Sequence, residues 1–269
     1  RNVATDTAGN VYFSSPEFGV FRSIDDGENW DILNEGLIPD YYSVFTFVPS
    51  PDGRMYAYNR NVFYRLNPDQ TAWDQLTLPI SSWTSVYLND EGELFFSDSN
   101  GNVFKSFNGG LSYQQVLNED QLEGTVRKIS IHGDGKNFIV SDHGSSSNLY
   151  RFSDNGSSIE LLFSATNLVF LDFYYDNINN TLLFSTGNGL FISTDEGVNW
   201  VPVVIDSTQT VQPYMQQFRR HTDGNIYAFT NSKFAKTTDG GEIWTLEDPF
   251  NLPTTILGGS SFACHGDNN

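Results

Sequence analysis

The sequence predicts an all-β fold: a β-propeller of four-stranded blades, with six blades favoured and seven as the alternative. Aromatic and β-branched residues recur in short runs that are broken by Gly, Asn and Asp. A polar octapeptide ending in Trp occurs as SIDDGENW at 23–30, STDEGVNW at 193–200 and TTDGGEIW at 237–244. Three less regular copies lie between the first two, so one unit repeats every 40 to 46 residues.

Each repeat contains the same order of predicted strands, which we call A to D. An apolar run such as SVFTFV or TSVYLN gives strand A, and a run such as GNVYFSS or GELFFSD gives strand B after a turn. The octapeptide separates strand C from strand D. Four strands in a period of about 40 to 45 residues are typical of a propeller blade. The six copies begin at Ser23, Leu66, Ser106, Phe152, Ser193 and Thr237.

The repeats divide a single predicted propeller domain without a linker. The end of the chain, TTILGGSSFACHGDNN, resembles one further strand A and its turn, which is why seven blades are the alternative. We expect the segment 254–269 to pair with the first blade, because closure of the ring removes exposed strand edges. The predicted repeats are 1–33, 34–76, 77–116, 117–162, 163–203 and 204–247.

The octapeptide is interpreted as a structural turn. Its Asp can accept backbone N–H bonds, its Gly can adopt positive φ, and its Trp can pack on the next blade or on its own sheet. The alternative is that these Asp residues are catalytic or bind metal, but equivalent positions on neighbouring blades lie too far apart to share one site. The predicted structural residues are Ser23, Asp25, Gly27, Trp30, Trp73, Ser193, Asp195, Gly197, Trp200, Thr237, Asp239, Gly241 and Trp244.

The pattern S/T-x-D-x-G-x-x-W resembles the Asp-box, or BNR repeat, of sialidases, sortilin-type receptors, xyloglucan-active glycosidases and plastid photosystem assembly factors. The resemblance covers all six periods. Three copies match the pattern, whereas Pro68, Asn108 and Phe152 depart from it in the other three. It implies a propeller in which the box lies on the face opposite the ligand.

The composition limits the partners. The formal charge is −19, from 14 Lys and Arg against 33 Asp and Glu, so nucleic acids and anionic membranes are not expected to bind. Cys264 is the single cysteine, which excludes a disulfide within the chain and C-x-x-C motifs. No metal or cofactor is predicted. No apolar run is long enough for membrane insertion, and the acidic, Asn- and Ser-rich composition predicts an extracellular or cell-surface location.

The candidate binding residues lie in the B-to-C and D-to-A connections, at the ends of the blades that we call the upper edge. The octapeptides and the A-to-B turns lie at the opposite ends, the lower edge. Aromatic faces beside carboxylates suit sugar rings, although such aromatics can also simply cap the core. The candidates are Trp83, Tyr41, Tyr42, Asp40, Tyr214, Phe250, Asp98 and Asp142, and Phe18, Glu119 and Asp120 belong to the same set of connections.

These features predict a non-catalytic binding propeller for a glycan or a protein. The first alternative is a glycoside hydrolase that uses two upper-edge carboxylates, which must lie about 5 to 10 Å apart. The second is a structural module of a longer chain or assembly. A sialidase is disfavoured because LIPD at 37–40 lacks the Arg of the family's F/Y-R-I-P segment, and a serine hydrolase because no G-x-S-x-G is present.

Overall fold

A computed structural model of the protein describes residues 3–38, 45–59, 62–80, 82–89, 91–122, 124–130, 136–143, 145–153, 155–205, 214–221, 223–230 and 233–247. These residues form six four-stranded antiparallel sheets, each with its strands in sequence order. They contain no helix, and hence none that is long and apolar enough to span a membrane. The predicted all-β fold of six four-stranded blades is confirmed.

The first three sheets, blades 1 to 3, carry short strands. Blade 1 contains β1 Val3–Thr5, β2 Val11–Ser15, β3 Gly19–Ser23 and β4 Asp31–Ile32. Blade 2 contains β5 Thr46–Pro49, β6 Met55–Tyr58, β7 Phe63–Leu66 and β8 Trp73–Gln75. Blade 3 contains β9 Ser85–Leu88, β10 Leu94–Ser97, β11 Val103–Ser106 and β12 Gln114–Leu117.

Blade 4 has the longest strands. Its strands are β13 Thr125–Ser130, β14 Asn137–His143, β15 Ser146–Phe152 and β16 Ile159–Thr166. Blade 5 contains β17 Phe170–Asp176, β18 Thr181–Thr186, β19 Gly189–Ser193 and β20 Val201–Val203. Blade 6 contains β21 Gln216–Arg220, β22 Ile226–Phe229, β23 Phe234–Thr237 and β24 Thr245–Glu247. Strands β12 and β16 extend beyond residues 116 and 162, the predicted repeat ends. The predicted closing segment 254–269 lies outside the described residues.

The chain divides into two compact units. Unit 1 comprises Arg1–Asn137 and Ser153–Ser157, and unit 2 comprises Phe138–Phe152 and Ser158–Asn269. Unit 1 therefore holds blades 1 to 3, and unit 2 holds blades 5 and 6.

The core of unit 1 lies between its blades. Tyr12 of blade 1 packs with Ala57 and Tyr64 of blade 2 in one buried cluster. Tyr56 of blade 2 packs with Phe96 of blade 3 in the next. Neighbouring residues Tyr56 and Ala57 enter different clusters because successive side chains of a strand point to opposite faces. Each blade of this unit thus has two apolar faces.

The core of unit 2 follows the same plan. Phe138 of β14 packs with Phe173 and Phe184 of blade 5. On the other face of blade 5, Leu183 packs with Phe218 of blade 6. The apolar run that predicted strand B of blade 5 is therefore buried on both faces.

A short turn recurs between strands A and B at the lower edge. In blade 1 the Asp6 carboxylate accepts the N–H groups of Ala8 and Asn10 and the Tyr12 hydroxyl, the last at 3.0 Å. Ser50 occupies the corresponding turn of blade 2 and forms the same backbone hydrogen bonds. Its side chain is shorter than that of Asp and does not reach the Tyr56 hydroxyl as Asp6 reaches Tyr12. The Ser50 hydroxyl is buried and forms no hydrogen bond with any described residue, and the Tyr56 hydroxyl beside Arg54 has no carboxylate partner of the kind that Asp6 provides in blade 1.

Replacing Ser50 by Asp is expected to raise the free energy of unfolding by about 1 kcal/mol. The carboxylate would accept the turn N–H groups and the Tyr56 hydroxyl, as Asp6 does in blade 1. Asp6→Ser is the converse variant and should lower the free energy of unfolding. Urea unfolding of both variants checks this, and a Ser50→Asp protein less stable than the parent would contradict it.

Candidate functional site

The octapeptide at 23–30 forms a hydrogen-bonded turn around its Asp. The Ser23 hydroxyl donates to Asp25 Oδ1 at 2.8 Å and accepts the Gly27 N–H at 2.8 Å. Asn29 donates its backbone and side-chain N–H groups to the two Asp25 oxygens, at 2.8 and 2.7 Å. The Trp30 ring N–H reaches the Gly27 carbonyl at 3.0 Å. All of these bonds lie within the turn, so the carboxylate serves the loop that carries it.

The later copies repeat this turn, as the sequence predicts. Ser193 and Asp195 are joined at 2.9 Å, and Thr237 and Asp239 at 2.7 Å. In blade 3 Asn108 takes the place of Asp, accepting the Ser106 hydroxyl at 3.1 Å. These turns lie between strands C and D. The described residues contain no group of three or more His, Cys, Asp or Glu that could hold a metal ion.

In blades 2, 5 and 6 the closing Trp packs on the preceding blade and also on its own sheet. Trp200 of blade 5 contacts Phe163 of β16 in blade 4, with ring centroids 4.8 Å apart. Trp244 of blade 6 belongs to the cluster that blades 5 and 6 share, and Trp73 of blade 2 donates its ring N–H to the Leu33 carbonyl at 2.9 Å. Trp30 lies against Phe13 of its own sheet. Of the two expected contacts, packing on the next blade was wrong, because the turn into strand D brings the ring to the opposite face. Packing on its own sheet is found for all four Trp residues.

The Gly that recurs at the fifth position of the octapeptide also fits this packing. At Gly197 φ is +91°, and an added Cβ would come within 2.9 Å of the Leu162 side chain on β16. A larger residue would therefore have to displace the Leu162 side chain of the preceding blade. In blades 2, 5 and 6, the octapeptide turn thus contacts the preceding blade of the same unit.

The Asp residues of the octapeptide turns make the free energy of unfolding depend on pH in the acid range. Hydrogen bonds from Asn29 and Asn199 lower the pKa of Asp25 and Asp195 below 3.8. At Asp239 burial raises the pKa, but bonds led by the Ile243 N–H outweigh it, so that the pKa is lowered. These carboxyl groups bind fewer protons in the folded protein than in the unfolded one. Their contribution to the free energy of unfolding is therefore present above the pKa of the unfolded state, and it is lost as the pH falls through the pKa of the folded state.

We therefore expect the urea midpoint to fall below about pH 4. The triple variant Asp25→Asn, Asp195→Asn, Asp239→Asn should fold, since Asn108 already fills this position in blade 3, and should depend less on pH in that range. Urea unfolding at a series of pH values measures this. Equal pH dependence in the parent and the triple variant would contradict it.

The upper edge holds the predicted ligand-binding residues, and the structure gives several of them internal partners. Trp83 is half-buried, with its ring edge-on to Phe63 at 6.3 Å, and packs beside the cluster of blades 2 and 3. The Asp142 carboxylate accepts the Ser147 hydroxyl at 2.7 Å. Tyr214 is half-buried. Asp40, Tyr41, Tyr42 and Phe250 lie outside the described residues.

Asp98 forms a turn like that of Asp6, but at the upper edge. Its Oδ1 accepts the N–H groups of Asn100 and Asn102 at 2.9 and 3.0 Å, and its Oδ2 accepts the Asn102 side-chain amide at 2.8 Å. Three donors thus hold both oxygens. The carboxylate shapes the B-to-C turn of blade 3, which presents the neighbouring amides.

A cleft of about 370 Å³ lies beside this turn in unit 1. Its walls are the turn 98–102, Pro79 and Ile80 from the connection that follows blade 2, and Phe104 and Gln115 from strands β11 and β12. The polar lining is neutral apart from Asp98. The Gln115 amide donates to Asn102 Oδ1 at 2.9 Å, which fixes the rim. The cleft thus offers amide and hydroxyl groups beside the apolar side chains of Pro79, Ile80 and Phe104.

Sequence reasoning found one member of this cleft and missed the rest. Asp98 was a candidate, and Trp83 adjoins the lining residue Ser82. Asn100, Phe104 and Gln115 were not singled out. The sequence SDSNGN at 97–102 could have indicated Asn100 and Asn102, since Asn beside Gly in a B-to-C turn predicts exposed amides. Gln115 carries no such signal, because only the fold brings strand D to this turn.

Six antiparallel four-stranded blades define a β-propeller. YCF48 from Cyanidioschyzon merolae is similar, with a TM-score of 0.68 and 14% identity over 91% of this chain and 84% of that one. YCF48 bound to D1 peptide has a TM-score of 0.67 and 13% identity, over 91% of this chain and 79% of that one. The extracellular domain of a hybrid two component system from B. thetaiotaomicron has a TM-score of 0.64 and 13% identity, over 93% of this chain and 33% of that one.

At these identities the similarity to solved structures shows the fold alone. No family model matches the sequence, and no curated protein matches it either. The resemblance to Asp-box proteins therefore stays a prediction, whereas the hydrogen-bonded turn is a feature of the structure.

Proposed function

We propose that this protein is a non-catalytic binding propeller that receives an extended segment of a partner protein in the cleft beside the turn 98–102. The single observation that carries this proposal is the composition of the cleft. Its neutral amides and hydroxyls offer both donors and acceptors, which is what a polypeptide backbone requires. A pocket of this size with a few fixed polar groups is typical of binding sites.

Catalysis is less well supported at this cleft. A glycoside hydrolase needs two carboxylates, one of them able to exchange a proton. Asp98 is the only carboxylate among the lining residues, and three hydrogen bonds already hold it. The second carboxylate that a hydrolase would need is therefore not among the described lining residues.

The similar propeller that was solved with a D1 peptide supports a polypeptide partner on this fold. A glycan remains the second candidate, because hydroxyl groups also suit an amide-lined cleft. Phe104 is the only aromatic residue among the lining residues, however, and Trp83 packs against Phe63. We further propose an extracellular or cell-surface location and membership of a longer chain or assembly, in keeping with the acidic composition and with one similar structure that is an extracellular domain.

The test is selection of short random peptides on the whole chain, with a glycan array and a polysaccharide hydrolysis assay in parallel. Asn100→Trp fills the cleft at an exposed position. Val198→Trp adds comparable bulk at the lower edge, where Val198 is 78% exposed. We expect the selected peptides to lose at least about tenfold in affinity for Asn100→Trp, which is about 1.4 kcal/mol, and to bind Val198→Trp as they bind the parent.

Failure to select any peptide, or equal binding to both variants, would overturn the proposal. Glycan binding that is lost in Asn100→Trp would replace it with the second candidate. Turnover of a polysaccharide would replace it with the hydrolase.

A further inference from the structure

The described Lys and Arg side chains of blades 1 to 3 lie away from the upper-edge connections, whereas carboxylates lie at both edges. In the described part of the upper-edge connections of unit 1 there are five carboxylates and no Lys, Arg or His. The carboxylates are Glu17, Glu35, Asp98, Glu119 and Asp120.

Within the described residues, the cations of blades 1 to 3 are held at the lower edge. Arg22 donates to the Gln70 carbonyl at 2.7 Å, and Arg65 donates to the Gly109 carbonyl at 3.2 Å. Arg54 pairs with Asp52 at 3.2 Å, and Lys105 pairs with Glu93 at 2.8 Å. These contacts fix the positive charges at the A-to-B and C-to-D turns.

Two further cations, Arg127 and Lys128, lie inside strand β13 rather than in a connection, and each has an interaction of its own. The described upper edge of unit 1 is therefore a region of negative charge that no cation in its connections balances.

The cleft adjoins this negative region. The Glu119 N–H donates to Asn102 Oδ1 at 3.1 Å, the same oxygen that accepts the Gln115 amide. This bond ties the connection that carries Glu119 and Asp120 to the rim. Both residues are exposed, and neither carboxylate forms a salt bridge with any other described residue.

We infer that the partner segment is cationic, with Lys or Arg side chains beside the residues that enter the cleft. This inference rests on the proposed function and names the chemistry of its partner. Uncompensated carboxylates at a binding surface attract a cationic segment and speed its association, with a strong dependence on salt. The net charge of −19 acts in the same direction.

The test has two probes, the peptides selected on the parent and an oligolysine peptide. Glu119→Gln with Asp120→Asn removes two charges beside the cleft. Glu28→Gln with Asp69→Asn removes two charges from the lower edge of the same unit and is the matched control. At low salt we expect the upper-edge pair to slow association of both probes roughly tenfold, while the control pair changes it little. We also expect the selected peptides to be richer in Lys and Arg than the library.

Equal effects of the two pairs on oligolysine, or selected peptides without an excess of basic residues, would overturn the inference. The outcome is separable from that of the proposed function. Neutral peptides that bind the parent and not Asn100→Trp would leave the binding propeller standing and remove only the cationic partner. Oligolysine tests the charge even if selection yields no peptide.

Discussion

Replacing Gly156 by Ala is expected to lower the free energy of unfolding by about 3 kcal/mol. Gly156 belongs to the fourth octapeptide copy and has φ of +68°, and an added methyl group would overlap the carbonyl oxygen of Val116 on β12. Relief of this clash must move backbone, because the obstacle is not the end of a flexible side chain. Urea unfolding measures the loss.

Gly27→Ala is the control for this prediction. Gly27 fills the same octapeptide position in blade 1 with φ of +91°, but the nearest atom to an added methyl group is 3.7 Å away, in the ring of Trp30. Only the left-handed backbone then opposes the substitution, at about 1 kcal/mol. Equal losses in the two variants would mean that the octapeptide shapes its own turn and does not hold the neighbouring blade.

Replacing Arg220 by Met is expected to lower the free energy of unfolding by about 3 to 5 kcal/mol. Arg220 Nη1 lies 2.6 Å from Asp176 Oδ2, and the Asp176 side chain has no exposed surface. Without the guanidinium, a buried carboxylate retains only neutral donors such as the Asn179 amide at 2.7 Å. The double variant Arg220→Met, Asp176→Asn should recover part of the loss, because no uncompensated charge is then buried. Thermal or urea unfolding compares the three proteins.

The exposed pair of Arg54 and Asp52 is the comparison for this ion pair. Its side chains are 42% and 39% exposed. Asp52→Asn should change the free energy of unfolding by less than about 1 kcal/mol, as for other surface pairs. If Arg220→Met were as mild as Asp52→Asn, the pair that joins blades 5 and 6 would contribute no more than a surface contact.

The repeat made the fold predictable. A period of about 40 to 45 residues, read with alternation at residues such as Tyr56 and Ala57, specifies four strands and two apolar faces per blade. The octapeptide turns were predictable too, because Ser23, Asp25 and Gly27 act on neighbours in sequence. The side on which Trp200 packs was not, since contact with Phe163 depends on how one sheet lies on another.

The candidate site was less predictable, for a physical reason. Asp98 and Trp83 are of residue types that bind ligands, and sequence cannot tell a free carboxylate from one that caps a turn. The structure gives Asp98 three donors and sets Trp83 against Phe63. The cleft instead joins a turn, a connection and a strand that are separated in sequence, so its lining depends on tertiary structure.

The central claim is that octapeptide turns hold the blades together while binding takes place at the opposite edge. Hydrogen exchange of the whole chain, with and without a selected peptide, tests this most directly. We predict slower exchange in the connections 79–84, 98–102 and 115–121 and unchanged exchange in the turns 23–30, 193–200 and 237–244. Protection confined to those three turns would contradict the claim.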